Sequence, residues 1–581
     1  MHPTVATTGS WGWMRSDIPP SARLVLIPYS RVFCPKDSLQ PYAERLAGKL
    51  PRAAAIACLG QLSALHYARS ESRTPPEQRL RLAMLGPRSA MPWFARVEEL
   101  VDEGGVLIHE QGIAMLLRLV LLHATDEPPS DDDFVATLVK LILVVNELFG
   151  SHQGLIKPDS PDDDLVDVEL RGAIIPAGDT TSLLVRPFTF LRWADEADRE
   201  SVDNWIDVRA DFVRLLNMTA DEYVVGSAFF VLYLVNATGR LSKRTSPVIR
   251  ISDLERALTR PQALRRWIAQ FISPLDVVRD ELVACEHDYS SASLVPFLRH
   301  PLISIDGDNV VCPLPATLDN LLAAGFYFAL FDAYKNRGEE SNAKRFAAMY
   351  GRFFEDYVGT LLDRIVDPAC GTLSRERSYT TRKGSSKTSD FFVLDEARRL
   401  VVVEAAKTRL NLKTTLIDRN RESLTGDIRR IIVANGRQIS RTLRDLRAGR
   451  FAFPCRYEEL NGVYALVVAG QRLPGLYGVN AIAEAVLRDD GGLPDCRGLH
   501  VIDIDELETL AAEHYHTLPL GEILEAKAQH ADRFARTCRL QTFIDRFTDI
   551  KSAPKRIVPS AFDAFFEDIM MPMLKEWGLR E

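Results

Sequence analysis

The chain has 581 residues, 46% of them hydrophobic and 26% charged, with a net charge of −8. That balance excludes a disordered, collagen-like or strongly basic protein and suits two to four ordinary globular domains. Eight cysteines scattered without a Cys-x-x-Cys pair suggest neither a zinc knuckle nor a disulfide framework.

Residues 1 to about 20, rich in Thr, Ser, Gly and Pro, predict a disordered tail. The stretch 21–295 reads as a mainly helical domain, with helices over 40–50, 91–102, 113–123, 133–149 and 220–236, several of them apolar on more than one face and therefore buried. Short β-like pieces fall at 24–28 and 173–176, and no repeat period is visible. The longest apolar run, 135–149, is broken by Lys140, Asn146 and Glu147 and is too short for a bilayer. With no basic-plus-apolar leader at the N-terminus, the expectation is a cytoplasmic protein with no membrane partner. The acidic runs 131–133 and 162–164 predict a helix start and a solvated loop, lacking the glycine and distal glutamate of a calcium loop. This region shows no chemistry, but it offers surface for a protein partner or for self-association.

From 296 to 340 the sequence predicts a hairpin and a connecting helix. Leu302-Ile303-Ser304-Ile305 and Asn309-Val310-Val311-Cys312 flank the turn signal Asp306-Gly307-Asp308, and Thr317 is placed to cap a helix through Leu321, Phe326, Phe328 and Phe331. Next, Phe346, Tyr350, Phe353, Tyr357 and Leu361 form an apolar stripe at helical spacing. Glu355 lies off that stripe, and Gly351 and Gly359, four residues either side, would leave its face bare for a strand or a substrate backbone. The competing reading is a solvated Glu355-Asp356 pair.

Phe391-Phe392-Val393-Leu394 and Leu400-Val401-Val402-Val403, joined by the charged connection 395–399, read as an antiparallel hairpin. Closing it brings Asp390 at one strand start beside Glu404 near the other strand end. Two adjacent carboxylates repel unless a cation sits between them, and a hard divalent ion with one or two carboxylate ligands can activate water on a phosphodiester. A strand-start turn residue and a solvated strand end would look the same in sequence.

Ser389-Asp390 followed by Glu404-Ala405-Ala406-Lys407 resembles the PD-(D/E)xK, or restriction-endonuclease-like, nuclease superfamily. The segments Gly351-Arg352-Phe353-Phe354-Glu355-Asp356-Tyr357 and Arg437-Gln438-Ile439-Ser440-Arg441 resemble the helices that flank the catalytic hairpin in that family. The resemblance implies a restriction-endonuclease-like α/β/α core with a mixed sheet, following the mainly α-helical N-terminal region in an α+β, multidomain chain. It implies Mg²⁺ or Mn²⁺ held by Asp390, Glu404, the Ala405 carbonyl and Glu355, with Lys407 and Gln438 completing the catalytic set. The family spacing is Glu-x-Lys, whereas this chain has Glu-x-x-Lys. Because strand side chains alternate, Lys407 would join Glu404 only through a β-bulge. The other outcomes are a site that borrows Lys387 or Lys383, one without a lysine, or an inactive scaffold. Ser389 stands where the motif has proline.

Between 371 and 450 there are 19 Lys and Arg against 9 Asp and Glu, in a chain that is acidic overall. Arg437, Arg441 and Arg444 fall on one helix face and, with Lys383, Lys387 and Arg409, are the expected contacts to nucleic acid, DNA ahead of RNA. Asn435-Gly436 predicts a turn that would split this helix. The stretch 383–388 lacks the spacing of a phosphate-binding loop and reads as a flexible basic loop. The β-rich runs 462–468 and 499–504 extend the nuclease-like domain, 341–525, and the Phe-rich 526–581 predicts helices packing back on it. The implied activity is phosphodiester hydrolysis, in restriction, antiviral defence or repair. The competing classes are an inactive nuclease-fold scaffold and a helical assembly protein.

Overall fold

The computed structural model describes residues 26–33, 38–68, 78–79, 82–83, 93–127, 134–153, 180–197, 204–240, 248–257, 261–285, 295–369, 371–381, 384–407, 421–470, 479–484, 495–514, 516–550 and 565–576, with single residues between them. The chain divides into two units, one of 1–164, 221–322 and 570–581, the other of 165–220 and 323–569. The stretches 1–20, 131–133, 162–164 and 173–176 lie outside the described residues.

In the first unit the expected helices form as Leu39–Ala47, Phe94–Asp102, Glu110–His123, Phe134–Gln153 and Ala220–Arg240. Phe134–Gln153 buries Leu138, Val139, Leu141, Ile142, Leu143, Val144 and Val145, positions that, with only Lys140 between them, point all round the helix, so it is a core helix. No described helix is long and apolar enough to cross a membrane. A four-stranded sheet runs in the order β1-β4-β3-β2, with β1 Ile249–Arg250, β2 Ile272–Pro274, β3 Leu302–Ser304 and β4 Asn309–Val311. β3 and β4 are the expected hairpin: Gly307 takes φ +84°, and the Asp306 side chain accepts from the backbone N–H groups of Asp308 and Asn309. Thr317 is not the expected cap. It lies inside the helix Ala316–Asn320, where its hydroxyl donates 2.5 Å to the Leu314 carbonyl.

The second unit is built on the five-stranded mixed sheet β11-β10-β9-β8-β5, with β5 Gly371–Arg375, β8 Phe391–Asp395, β9 Arg399–Ala406, β10 Gly462–Ala469 and β11 Gly498–Asp503. β9, β10 and β11 are parallel, while β8 runs antiparallel to both β9 and β5. A separate ribbon pairs β6 Ser378–Thr381 with β7 Gly384–Lys387. The flexible loop expected over 383–388 is therefore mostly a strand, because Gly384 to Lys387 find ladder partners in β6.

Helices cover both faces of the large sheet. On one face α2 (Glu340–Ile365), α4 (Ile504–Glu513) and α5 (Leu520–Gln529) pack on Phe391, Val393, Val401, Val403 and Ala405. On the other, α3 (Arg421–Arg447) packs Ile428, Ile431, Ile432, Ile439 and Leu443 on Phe392, Leu400, Val402 and Ala406. The period-two alternation of β9 thus sends odd positions to α2 and even positions to α3. α3 is one helix. Asn435 donates to the Ile431 carbonyl and Gly436 is buried, its Cα facing Leu493, so the pair serves close packing rather than a turn.

The segment 165–220 joins this unit instead of the N-terminal helical region, through α1 (Thr180–Glu196). The Phe190 ring meets Phe326, Phe346, Tyr350 and Phe353 at centroid distances of 5.0–6.2 Å. Buried Arg186 reaches Glu508 and Asp505 of α4 at 2.7 and 2.6 Å, and Tyr357 donates 2.8 Å to Glu508. The units are therefore interleaved in sequence, where consecutive domains with boundaries near 295, 340 and 525 are expected. The 302–311 hairpin belongs to the first unit rather than to a connector.

Candidate active site

Four ionisable side chains, Asp390, Glu404, Glu355 and Lys407, gather around the C-terminal end of β9. Asp390 immediately precedes β8, and its Oδ2 accepts the Ala405 backbone N–H at 2.8 Å. N–H and C=O of one strand residue project to the same edge, so the Ala405 carbonyl faces the Asp390 side. Glu404 is an even-numbered β9 residue, 5% exposed, and its Oε1 has no hydrogen-bond partner. Asp390 and Glu404 are within hydrogen-bonding reach of each other.

Burial and then the Asp390 charge push the Glu404 carboxyl well up, with a hydrogen bond from Ser389 opposing and Glu355 adding to the rise. Burial also raises Asp390, the Ala405 N–H opposes that, and Glu355 reinforces it. Such a pair holds a proton in place of a cation. The orphaned Glu404 oxygen and the facing carboxylate suit a hard divalent ion, since each would lose its electrostatic penalty to it. Among the described residues no three His, Cys, Asp or Glu side chains form a metal cage. An ion here would take two carboxylates and complete its shell with backbone, water or substrate oxygens.

Lys407 reaches this cluster without the expected bulge. β9 and β10 pair without interruption from Arg399↔Gly462 to Ala406↔Ala469, so Lys407 keeps the parity of Val403 and Ala405 and turns toward α2, away from Glu404. There its Nζ lies 2.5 Å from Glu355 Oε1. Gly351 makes room: a Cβ at that position would stand 2.9 Å from Lys407 Cδ. Gly359 does not serve the site, because a Cβ there would meet Phe391 and Arg375. Glu355 is thus neither a solvated residue nor bare for a substrate, and Arg352 lies 3.4 Å from its second oxygen.

Gln438 stands one layer back. Its Nε2 donates 3.1 Å to the Thr388 carbonyl and its Oε1 accepts from Arg441, so it fixes the turn that delivers Asp390. Ser389, fully buried, lies 3.1 Å from Thr442 Oγ1. A hydroxyl has one proton, so if Ser389 donates to Glu404 it accepts from Thr442, making a chain Thr442, Ser389, Glu404. Thr388 and Thr442 were not singled out from sequence. The only signal was Thr442 one helical turn after Gln438.

Of the expected nucleic-acid contacts, Arg437, Arg441 and Arg444 are exposed on α3. Arg441 is engaged by Gln438, whereas Arg437 and Arg444 have no ion pair among the described residues. Lys387 is held 2.9 Å from Glu376, which raises its pKa, so it is not a substitute for Lys407. Lys383 and Arg409 lie outside the described residues.

Comparison with protein-family models, curated proteins and solved structures finds no match to this chain. The fold class is a mixed α/β protein whose sheets include a mixed, five-stranded one between helical layers.

Proposed function

We propose that this protein is a metal-dependent nuclease of the restriction-endonuclease-like class that hydrolyses phosphodiester bonds in DNA. The observation that carries this reading is the meeting of Asp390, Glu404, Glu355 and Lys407 at the end of β9. Asp390 and Glu404, with the Ala405 carbonyl, would hold Mg²⁺ or Mn²⁺. The ion would supply charge neutralisation at the phosphate and a lowered pKa for bound water.

The remaining chemistry belongs to the chain. Lys407, released from Glu355, would hold the attacking water or a phosphate oxygen by a charge-assisted hydrogen bond. Glu355 holds the lysine on the α2 side of the sheet, from which it would have to swing to the carboxylates when substrate binds. Gln438 and Thr442 fix the turn that presents Asp390, and Arg437 and Arg444 would bind backbone phosphates. The placement of Lys407 on the opposite side of the sheet from Glu404 favours a second reading, in which the fold binds DNA without cutting it.

Incubation of the full chain with plasmid, linear and single-stranded DNA and with RNA, in Mg²⁺ or Mn²⁺, separates the two. Cleavage by wild type that disappears in Glu404→Ala supports the nuclease. Salt-sensitive binding of intact DNA with no cleavage moves the assignment to the scaffold, and absence of both refutes each.

A further inference from the structure

The first unit carries a second cluster of polar side chains, formed by residues that the sequence reading passed over. Ser273 is the middle residue of β2, the edge strand of the four-stranded sheet. β2 lies parallel to β3 with Ser273 opposite Ile303, and this register brings His300, just upstream of β3, alongside Ser273. The helix Leu275–Ala284 begins directly after β2 and presents Glu281 two turns later. Ser273 Oγ lies 2.7 Å from His300 Nδ1, and His300 Nε2 lies 2.5 Å from Glu281 Oε2. Arg299 holds the other Glu281 oxygen at 2.9 Å.

Proton positions follow from these partners. Against the opposing effect of burial, hydrogen bonds from His300 and then Arg299 hold the Glu281 carboxyl below its usual range, so it is ionised and can only accept. Nε2 of His300 therefore carries the proton it donates to Glu281. In the neutral ring Nδ1 is then the acceptor, and the Ser273 hydroxyl donates to it. A hydroxyl, a base on that hydroxyl and a carboxylate orienting the base are the elements of an activated nucleophile.

Donors for developing negative charge follow Ser273 in the chain. The ten-residue helix Leu275–Ala284 has Pro274 at its N-cap and no side-chain cap hydrogen bond, so its first-turn N–H groups are not capped by the N-cap side chain. They start two residues after Ser273 in the chain, and an attacked carbonyl oxygen would require such donors. Val277 in that turn is 48% exposed and Asp276 precedes it, so the segment following Ser273 offers apolar surface beside a negative charge and would favour an uncharged acyl group over an anionic one.

We propose that Ser273, His300 and Glu281 form a second, nucleophilic site that hydrolyses small uncharged acyl esters. Ser273 Oγ bonds to the acyl carbon while its proton passes to His300 Nδ1. His300 returns that proton to the alkoxy oxygen as the C–O bond breaks and the alcohol leaves. Water, deprotonated by the same nitrogen, then attacks the acyl-serine, releasing the carboxylic acid and restoring the Ser273 hydroxyl. The net reaction consumes one ester and one water and yields one acid and one alcohol.

The test is labelling of the full chain with a fluorophosphonate, which forms an Oγ–P bond with loss of fluoride, read by mass spectrometry of the peptide containing residue 273. The expected result is one adduct on Ser273, forming about 10²–10⁴-fold more slowly in His300→Gln and in Glu281→Gln. Glu404→Ala should label like wild type. A burst of p-nitrophenol from p-nitrophenyl acetate should vanish in Ser273→Ala, whose thermal unfolding should match wild type. If His300→Gln does not fold, the Glu281→Gln rate decides. No adduct on Ser273 in folded wild-type protein would overturn the proposal, as would an adduct forming equally fast in the folded variants, because a merely structural hydrogen bond leaves the serine at ordinary reactivity.

Discussion

Lys407 Nζ lies 2.5 Å from Glu355 Oε1, and this ion pair carries the lysine over Gly351, whose missing side chain makes room for it, to a face of the sheet that Glu404 does not share. The extra residue between Glu404 and Lys407 is absorbed by the end of β9 rather than by a bulge.

Lys407→Ala should therefore behave as a functional lesion with little structural cost. The lysine side chain is 50% exposed, so loss of the pair should change stability by no more than about 1 kcal/mol. DNA cleavage should fall by about 10²–10³-fold, as for a lost donor to developing charge. Gly351→Ala should displace the lysine and reproduce part of that loss. Denaturant unfolding beside cleavage kinetics checks both; equal cleavage by Lys407→Ala and wild type would remove the lysine from the mechanism.

Stability without metal should decline as pH rises. A carboxyl whose pKa is higher folded than unfolded contributes its stability fully below the unfolded value and loses it as pH climbs through the folded one. Asp390 stands at about 6 and Glu404 at about 9, against roughly 4 when unfolded, so the decline should run from about pH 4 to about pH 9. Mg²⁺ should reduce it, and Glu404→Gln should flatten its upper part. Melting temperature measured across this range, with chelator and with Mg²⁺, tests the idea; the same slope in Glu404→Gln as in wild type would contradict it.

Thr442→Val should weaken the site without touching the reacting groups. It removes the hydroxyl to which buried Ser389 is hydrogen-bonded, at a cost of about 1–3 kcal/mol, and with it the contact that orients Ser389. Gln438→Ala should act similarly through the Thr388 carbonyl. Calorimetric titration with Mn²⁺ should show weaker binding in both, and unchanged affinity would confine these residues to folding.

Arg186→Met should be the most damaging of these substitutions to the second unit. It strips the cation from buried Glu508 and its neighbour Asp505, and breaking such a pair from one side costs about 3–5 kcal/mol. Adding Glu508→Gln to Arg186→Met should recover part of the loss. A urea midpoint for Arg186→Met equal to wild type would show that the network contributes nothing.

Arg437→Ala with Arg444→Ala should lower DNA affinity across sequences and reduce the slope of log affinity against log salt by about 2. An unchanged slope would exclude this helix face from phosphate binding.

Local periodicity accounts for part of the fold. The hairpin around 395–399 brings Asp390 and Glu404 together across fourteen residues, and the two-residue alternation of 400–406 already assigns opposite faces to Glu404 and Lys407. The aromatic stripe of α2 and the Asp306-Gly307-Asp308 turn are equally local. Tertiary structure alone decided what depends on distant partners. Glu355 captures Lys407 across 52 residues, Gln438 reaches back 50 residues to Thr388, and Arg186 joins Glu508 over 322. The continuity of α3 through Asn435-Gly436 is of the same kind: turn propensity is worth a fraction of what a buried helix face gains by packing on a sheet. Ser273, Glu281 and His300 carry no motif spacing, and the parallel pairing of β2 with β3 is what assembles them.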